Sequence, residues 1–189
     1  SPHLHDSGHP WANPIPGAPG FIQAPPDGGV RVGHGGAGAS ASNPAVCDAT
    51  LVQPGSQIGL LGIEFARRRR NRMNATVTDV STADVTLSIE QGYGNCPKYI
   101  NKRPWDERLF AGAYQLSQSN DVSTEVAALI ARTDTFFIAS SSGPQEVDAG
   151  IQPQAWGNDI SHRGGVPGFL QLEGNTLSFD DYPGNNCKD

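Results

Sequence analysis

The sequence lacks the long runs and clusters that mark several large protein classes. No apolar run approaches the roughly 20 residues needed to span a bilayer, and no charged opening followed by an apolar stretch suggests a signal peptide. Neither membrane insertion nor secretion is therefore expected of a chain that reads as a soluble protein. Cysteine is scarce: Cys47, Cys96 and Cys187 are widely spaced, odd in number and without a CxxC pair. That excludes a disulfide scaffold and a thiolate zinc site as expectations, and a reducing, cytoplasmic setting is the simplest reading. Positive charge is in deficit, with 13 Lys and Arg against 19 Asp and Glu and a net charge of −6. Proteins that bind nucleic acid through phosphates usually carry the opposite balance, so no nucleic-acid partner is expected. Hydrophobic residues, at 37%, are few for a packed domain, while 23 Gly and 15 Pro give turns and loops a large share of the 189 residues. The length suits one ordinary domain or two small ones.

The informative patterns are those of strands. Residues 58–65 (IGLLGIEF) form an apolar run of strand length. The run Arg67-Arg68-Arg69-Arg70-Asn71-Arg72 and the following MNATVTDV sort by period two: Met73, Ala75 and Val77 fall on one face, and Arg68, Arg70, Arg72, Asn74, Thr76 and Thr78 on the other. After a turn at Ser81–Asp84, Val85, Leu87 and Ile89 alternate with Thr86, Ser88 and Glu90. Residues 58–90 thus predict three consecutive antiparallel strands, and Gly92 to Arg103 breaks the pattern.

Ser123 is a good N-cap for a helix running to about Arg132, with Val126, Leu129 and Ile130 on one face. A short helix is also possible within 104–119. Phe136–Ala139 reads as a short buried strand, 140–158 as a polar loop, and 167–172 with 176–179 as a hairpin across Glu173-Gly174-Asn175. Prolines 14, 16 and 19 make Trp11–Gln23 an irregular edge segment, Val30–Val32 suggests a short strand, and Gly33–Ser42 reads as a flexible loop. Pro19-Gly20-Phe21-Ile22-Gln23 is echoed by Pro167-Gly168-Phe169-Leu170-Gln171, each after a Gly-rich stretch and before a second short strand. The echo suggests an internal repeat.

Several blocks carry a family resemblance. IGLLGIEFARRRRNRMNATV followed by QGYGNCPKYINKR, then DTFFIAS (Asp134–Ser140), DISHRGGVPGF (Asp159–Phe169) and DYPGNN (Asp181–Asn186), resemble a flavin-nucleotide-binding subgroup of the pyridoxamine 5′-phosphate oxidase-like split-barrel superfamily. GNCPKYI and SHRGG with PGF are the most specific of them. The resemblance implies a mostly β fold, a split antiparallel, Greek-key-like barrel with a few short helices. It also implies a flavin mononucleotide (FMN) cofactor, hydride or electron transfer done by the flavin, and a homodimer with the cofactor at its interface. The superfamily's flavin-contacting glutamine corresponds here to Arg70, and the residues by which the oxidases hold the substrate phosphate have no counterpart. With the echo, the resemblance divides the chain into a first unit, 1–132, and the start of a second, 133–189, or strands that complete one barrel. Both ends then read as falling inside repeated units. The resemblance implies Arg70, Arg72, Lys98, Ser161, His162, Arg163 and Asn185 as cofactor-binding residues. No catalytic side chain is indicated. A haem-binding or other non-catalytic module, or a dimerisation scaffold without cofactor, is the alternative that the same fold would permit.

Each constellation has a plainer reading beside the functional one. Arginine's fork can give two bonds to one phosphate, and alternation would aim Arg70 and Arg72 together. The plainer reading is a solvated strand start paired with Glu64 and Asp79. Ser161–Gly165 could bring backbone N–H groups to a flavin phosphate, or be a tight loop before a strand. His162 titrates near neutrality in its ordinary state. Cys96 beside Lys98 could be a reactive thiol, but a structural loop with Pro97 opening a helical turn is the favoured reading, Lys98 being kept as a phosphate contact. His3, His5 and His9 have a spacing that could bind a transition metal, yet a frayed Pro/Gly-rich terminus is favoured and no metal is expected. Trp11, Tyr99, Trp105 and Trp156 could stack on a flavin ring or simply fill the core.

Overall fold

The computed structural model describes residues 10, 12–15, 19–26, 28–33, 52–94, 96–104, 106, 119–142, 157–180 and 182. About half of these residues lie in strands, and one short helix accompanies them. An antiparallel sheet has the order β1-β2-β5-β4-β3, built from β1 (Ile22–Gln23), β2 (Val30–Gly33), β3 (Gln57–Glu64), β4 (Arg69–Val80) and β5 (Asp84–Gly94). It curls into a half-barrel. Two further hairpins follow, β6 (Thr135–Ser141) with β7 (Asn158–Gly164) and β8 (Leu170–Glu173) with β9 (Thr176–Phe179). The expected mostly β, barrel-like architecture is therefore present.

The three central strands form where alternation predicts them. Ala75, Val77, Val85 and Leu87 turn to one face and are buried there with Val32, while Ile58, Leu60 and Ile89 pack against them. Burying the valine and leucine side chains on one face stabilises the sheet by about 1.5–3 kcal/mol each. Strand β5 does not stop at Glu90. A register shift lets Ala75 face Ile89 while Asn74 faces Gln91, so Glu90 is the extra residue of a bulge and pairing continues to Gly94. A second shift leaves Thr78 unmatched and keeps Val80 on the core face opposite Val85.

The helix α1 (Thr124–Arg132) starts where the cap predicts: the Ser123 hydroxyl accepts from the Val126 backbone N–H at 3.2 Å. Its apolar residues are not buried, however; Val126 and Leu129 are exposed and α1 lies against β8. Phe136 meets Phe169 and Phe179 at ring-centroid distances of 6.0 and 5.0 Å, which joins β6 to the β8–β9 hairpin. The stretch 136–139 is only half buried, with Ile138 exposed.

The echoed segments share a local form. Gly20 and Gly168 have φ of 98° and 91°, and each is followed by a Phe and a strand of an antiparallel hairpin. β2 pairs on with β5, whereas β9 pairs with β8 alone among the described residues. The predicted 167–172 strand begins only at Leu170, because 166–169 is a turn closed by Phe169 N–H to Val166 O at 3.0 Å. The 140–158 loop gives up both ends to β6 and β7. Asn185, the three N-terminal histidines, Trp11, Trp105, Trp156, and most of the 34–42 and 104–119 readings lie outside the described residues.

Candidate functional site at the crossing of β4 and β7

β7 comes down against the edge of the half-barrel at β3. The Asn158 amide donates to Gln57 O at 2.7 Å. The approach is so close that a side chain on Gly59 would sit 2.6 Å from the Asn158 carbonyl oxygen. A glycine at that point is what lets β7 cross. The crossing brings Arg70 and His162 into direct contact, ties Arg72 to Asp159, and sets Ser161 and Arg163 alongside.

Arg70 and Arg72 share a face of β4, as period two predicts, and both reach β7. Arg70 Nη1 donates to His162 Nδ1 at 3.0 Å and to the His162 carbonyl at 3.3 Å. Arg72 Nε donates to Asp159 Oδ1 at 3.0 Å within a two-pronged ion pair, and its guanidinium lies 5.2 Å from the Tyr93 ring centre. Neither Glu64 nor Asp79 takes those arginines; Glu64 pairs instead with Arg67 at 3.4 Å. The acid that matters, Asp159, lies 87 residues away in sequence, so no local pattern reveals it.

His162 is 1% exposed, wedged edge-on between Phe65 and Phe137. Burial, with the positive charges of Arg70, Arg103 and Arg163, holds its pKa down to about 4. It is neutral at pH 7. Because a guanidinium only donates, Nδ1 accepts and the ring proton resides on Nε2. That buried Nε2, like the buried Nε of Arg70, has no hydrogen-bond partner among the described residues. Burial also lowers the Arg70 pKa.

The Ser161–Gly165 segment departs from the sequence expectation. It is not an anion-cradling loop: Ser161 to Gly164 belong to β7 and face Ile138, Phe137, Phe136 and Thr135 of β6 in register. Gly164 serves packing, since any Cβ there would collide with the Tyr99 carbonyl oxygen. Ser161 and Arg163 lie half-buried on the same strand as His162.

The Cys96–Arg103 segment seals one end of the crossing. Ile100 is buried, the Asn101 amide donates to the carbonyls of Asp134 and Gly165, both at 3.0 Å, and Arg103 pairs with Asp134 while lying over Phe65. Pro97 does not open a helical turn. Residues 97–100 make a β-turn, closed by Ile100 N–H to Pro97 O at 3.3 Å, with Tyr99 left-handed at φ 65°. Tyr99 packs on Tyr182 at 5.2 Å. Cys96 is a free, exposed thiol.

Lys98 stands apart from the crossing. With Cys96, Pro97 and Arg67–Arg69 it lines an open cleft of about 510 Å³. Arg68 does not continue the strand face of Arg70 and Arg72. It occupies the β3–β4 turn, where its N–H meets Phe65 O at 3.3 Å and its φ is 56°. The arginine run is thus split by its own turn, a feature no glycine or proline announces.

No protein-family model matches the chain, and no curated protein or solved structure matches it. Among the described residues no group of three or more His, Cys, Asp or Glu is placed to hold a metal ion, and no helix is long and apolar enough to cross a membrane.

Proposed function

We propose that the protein binds a flavin mononucleotide beside the β4–β7 crossing and works as a flavin-dependent oxidoreductase. The observation that carries this reading is the crossing itself, which sets Arg70 against His162 with Ser161 and Arg163 on the same strand, four of the residues that the resemblance implies for the cofactor. Arg70, His162, Ser161 and Arg163 would hold the flavin, while Lys98 stands apart on the cleft at the β3–β4 turn. Arg72 is committed to Asp159 and would serve by fixing β7 in place. When bound, the flavin supplies hydride or electron transfer; the chain supplies binding and orientation.

The test is the visible spectrum of the purified protein with its melting temperature. Flavin absorbance, or a rise in melting temperature on adding FMN, is expected. A colourless protein whose melting temperature ignores FMN would count against the reading. One observation favours a second reading, a non-catalytic scaffold: the Arg72–Asp159 pair is already complete within the protein. A folded protein indifferent to FMN is its signature, and a haem-binding variant of it would show a Soret band instead. A homodimer would cover the exposed Val126 and Leu129 of α1, and sizing chromatography checks it.

A further inference from the structure

The arginines left out of the crossing form a second centre. The β3–β4 turn carries Arg67, Arg68 and Arg69 as a ridge between two open clefts. One, of about 510 Å³, continues to Cys96, Pro97 and Lys98; the other, of about 340 Å³, continues to Ala66 and Lys102. Arg67 is offset by Glu64, but no carboxylate pairs with Arg68, Arg69 or Lys102 among the described residues. In a chain of net charge −6, such a concentration of unpaired cations is a local inversion of the protein's field.

The backbone adds an independent observation. Arg68 and Tyr99 are the two non-glycine residues with positive φ among the described residues, at 56° and 65°. They lie on the two turns, 65–68 and 97–100, that border the larger cleft. Holding a long side chain left-handed costs about 1–2 kcal/mol against glycine, and such strain collects where a side chain must be aimed. At Arg68 glycine would make the cheaper turn, and arginine stands there instead.

We infer that the β3–β4 tip is a binding site for a diphosphate-bearing small molecule, separate from the flavin site at the crossing. Three cations with no carboxylate partner among the described residues exceed what one phosphate monoester needs and match the charge of a diphosphate. Both clefts are open to solvent, and the acidic remainder of the chain disfavours a long polyanion. Arg68 and Arg69 take the oxygens with bidentate forks, and Lys102 neutralises from the second cleft. The inference stands without flavin binding, and if that also holds, the tip would receive the flavin's phosphorylated reaction partner.

Inorganic pyrophosphate is the probe, titrated by calorimetry into the whole protein, with and without saturating FMN. Saturable binding in both conditions, weakening with salt, is expected. Arg68→Gly should weaken it by about tenfold or more while raising the melting temperature, because it removes a charge and the backbone strain together. Arg69→Gln should weaken it without that rise. Absence of binding, variants that bind as tightly as the parent, or binding abolished by FMN would each overturn the separate site. A protein that binds pyrophosphate but not FMN would retain the tip site and lose only the flavin reading.

Discussion

Arg68 and Arg70 are two residues apart and live in different chemistries. Arg70 is half-buried, bonded to His162 and placed by a strand. Arg68 is exposed, without an ion-pair partner among the described residues, and held in a strained turn. One run of six residues therefore supplies both a latch, at Arg70 and Arg72, and a cationic tip, at Arg67 to Arg69. Charge density in a sequence says little about use until the partners are known. Buried cations with protein partners hold the fold together, whereas exposed and strained ones are available to a ligand.

The comparison is broken most severely at the latch. Gly164→Ala drives a methyl into the Tyr99 carbonyl and should cost about 3 kcal/mol or more, seen as a large fall in urea midpoint or loss of folded protein. Next comes the pH response. The His162 pKa is about 4 in the folded protein and near 6.5 when unfolded, so the unfolded chain binds the proton first. Stability should be full above pH 6.5, fall as pH drops toward 4, and level off below, by about 3 kcal/mol in all. Urea titrations across that range should show the slope, and His162→Gln should flatten it.

Asp159→Asn, which leaves the half-buried Arg72 without its counter-charge, should cost about 1–2 kcal/mol, with most of it shared in a double-mutant cycle with Arg72→Met. The tip should behave oppositely. Arg68→Gly should gain roughly 1 kcal/mol, and Arg69→Gln should change stability by less than about 0.5 kcal/mol. A tip that destabilises like the latch would erase the distinction.

Much of the half-barrel was legible in the sequence. Val85, Leu87 and Ile89 alternate cleanly because one face of β5 is buried, and Ser123 announces α1 by its cap. The hairpin across Gly174-Asn175 was legible from its turn residues, Gly174 taking φ 59°. The site was legible in part. Arg70 and Arg72 do share a face, yet their partners Asp159 and His162 come from a strand about 90 residues on, beyond any local period. Ser161–Gly165 reads as a loop because its glycines imitate one. They are there because Tyr99 and Phe169 leave no room for a Cβ, a cause that only packing reveals. The end of β5 was hidden by a bulge, and the Arg68 turn by the absence of glycine, asparagine or proline.

Flavin binding at the crossing is tested most directly by titrating the protein into FMN and following flavin fluorescence. Saturable quenching at one flavin per chain is expected, weakened by Arg163→Ala and unaffected by Arg68→Gly. Fluorescence that stays unchanged as protein is added would contradict it.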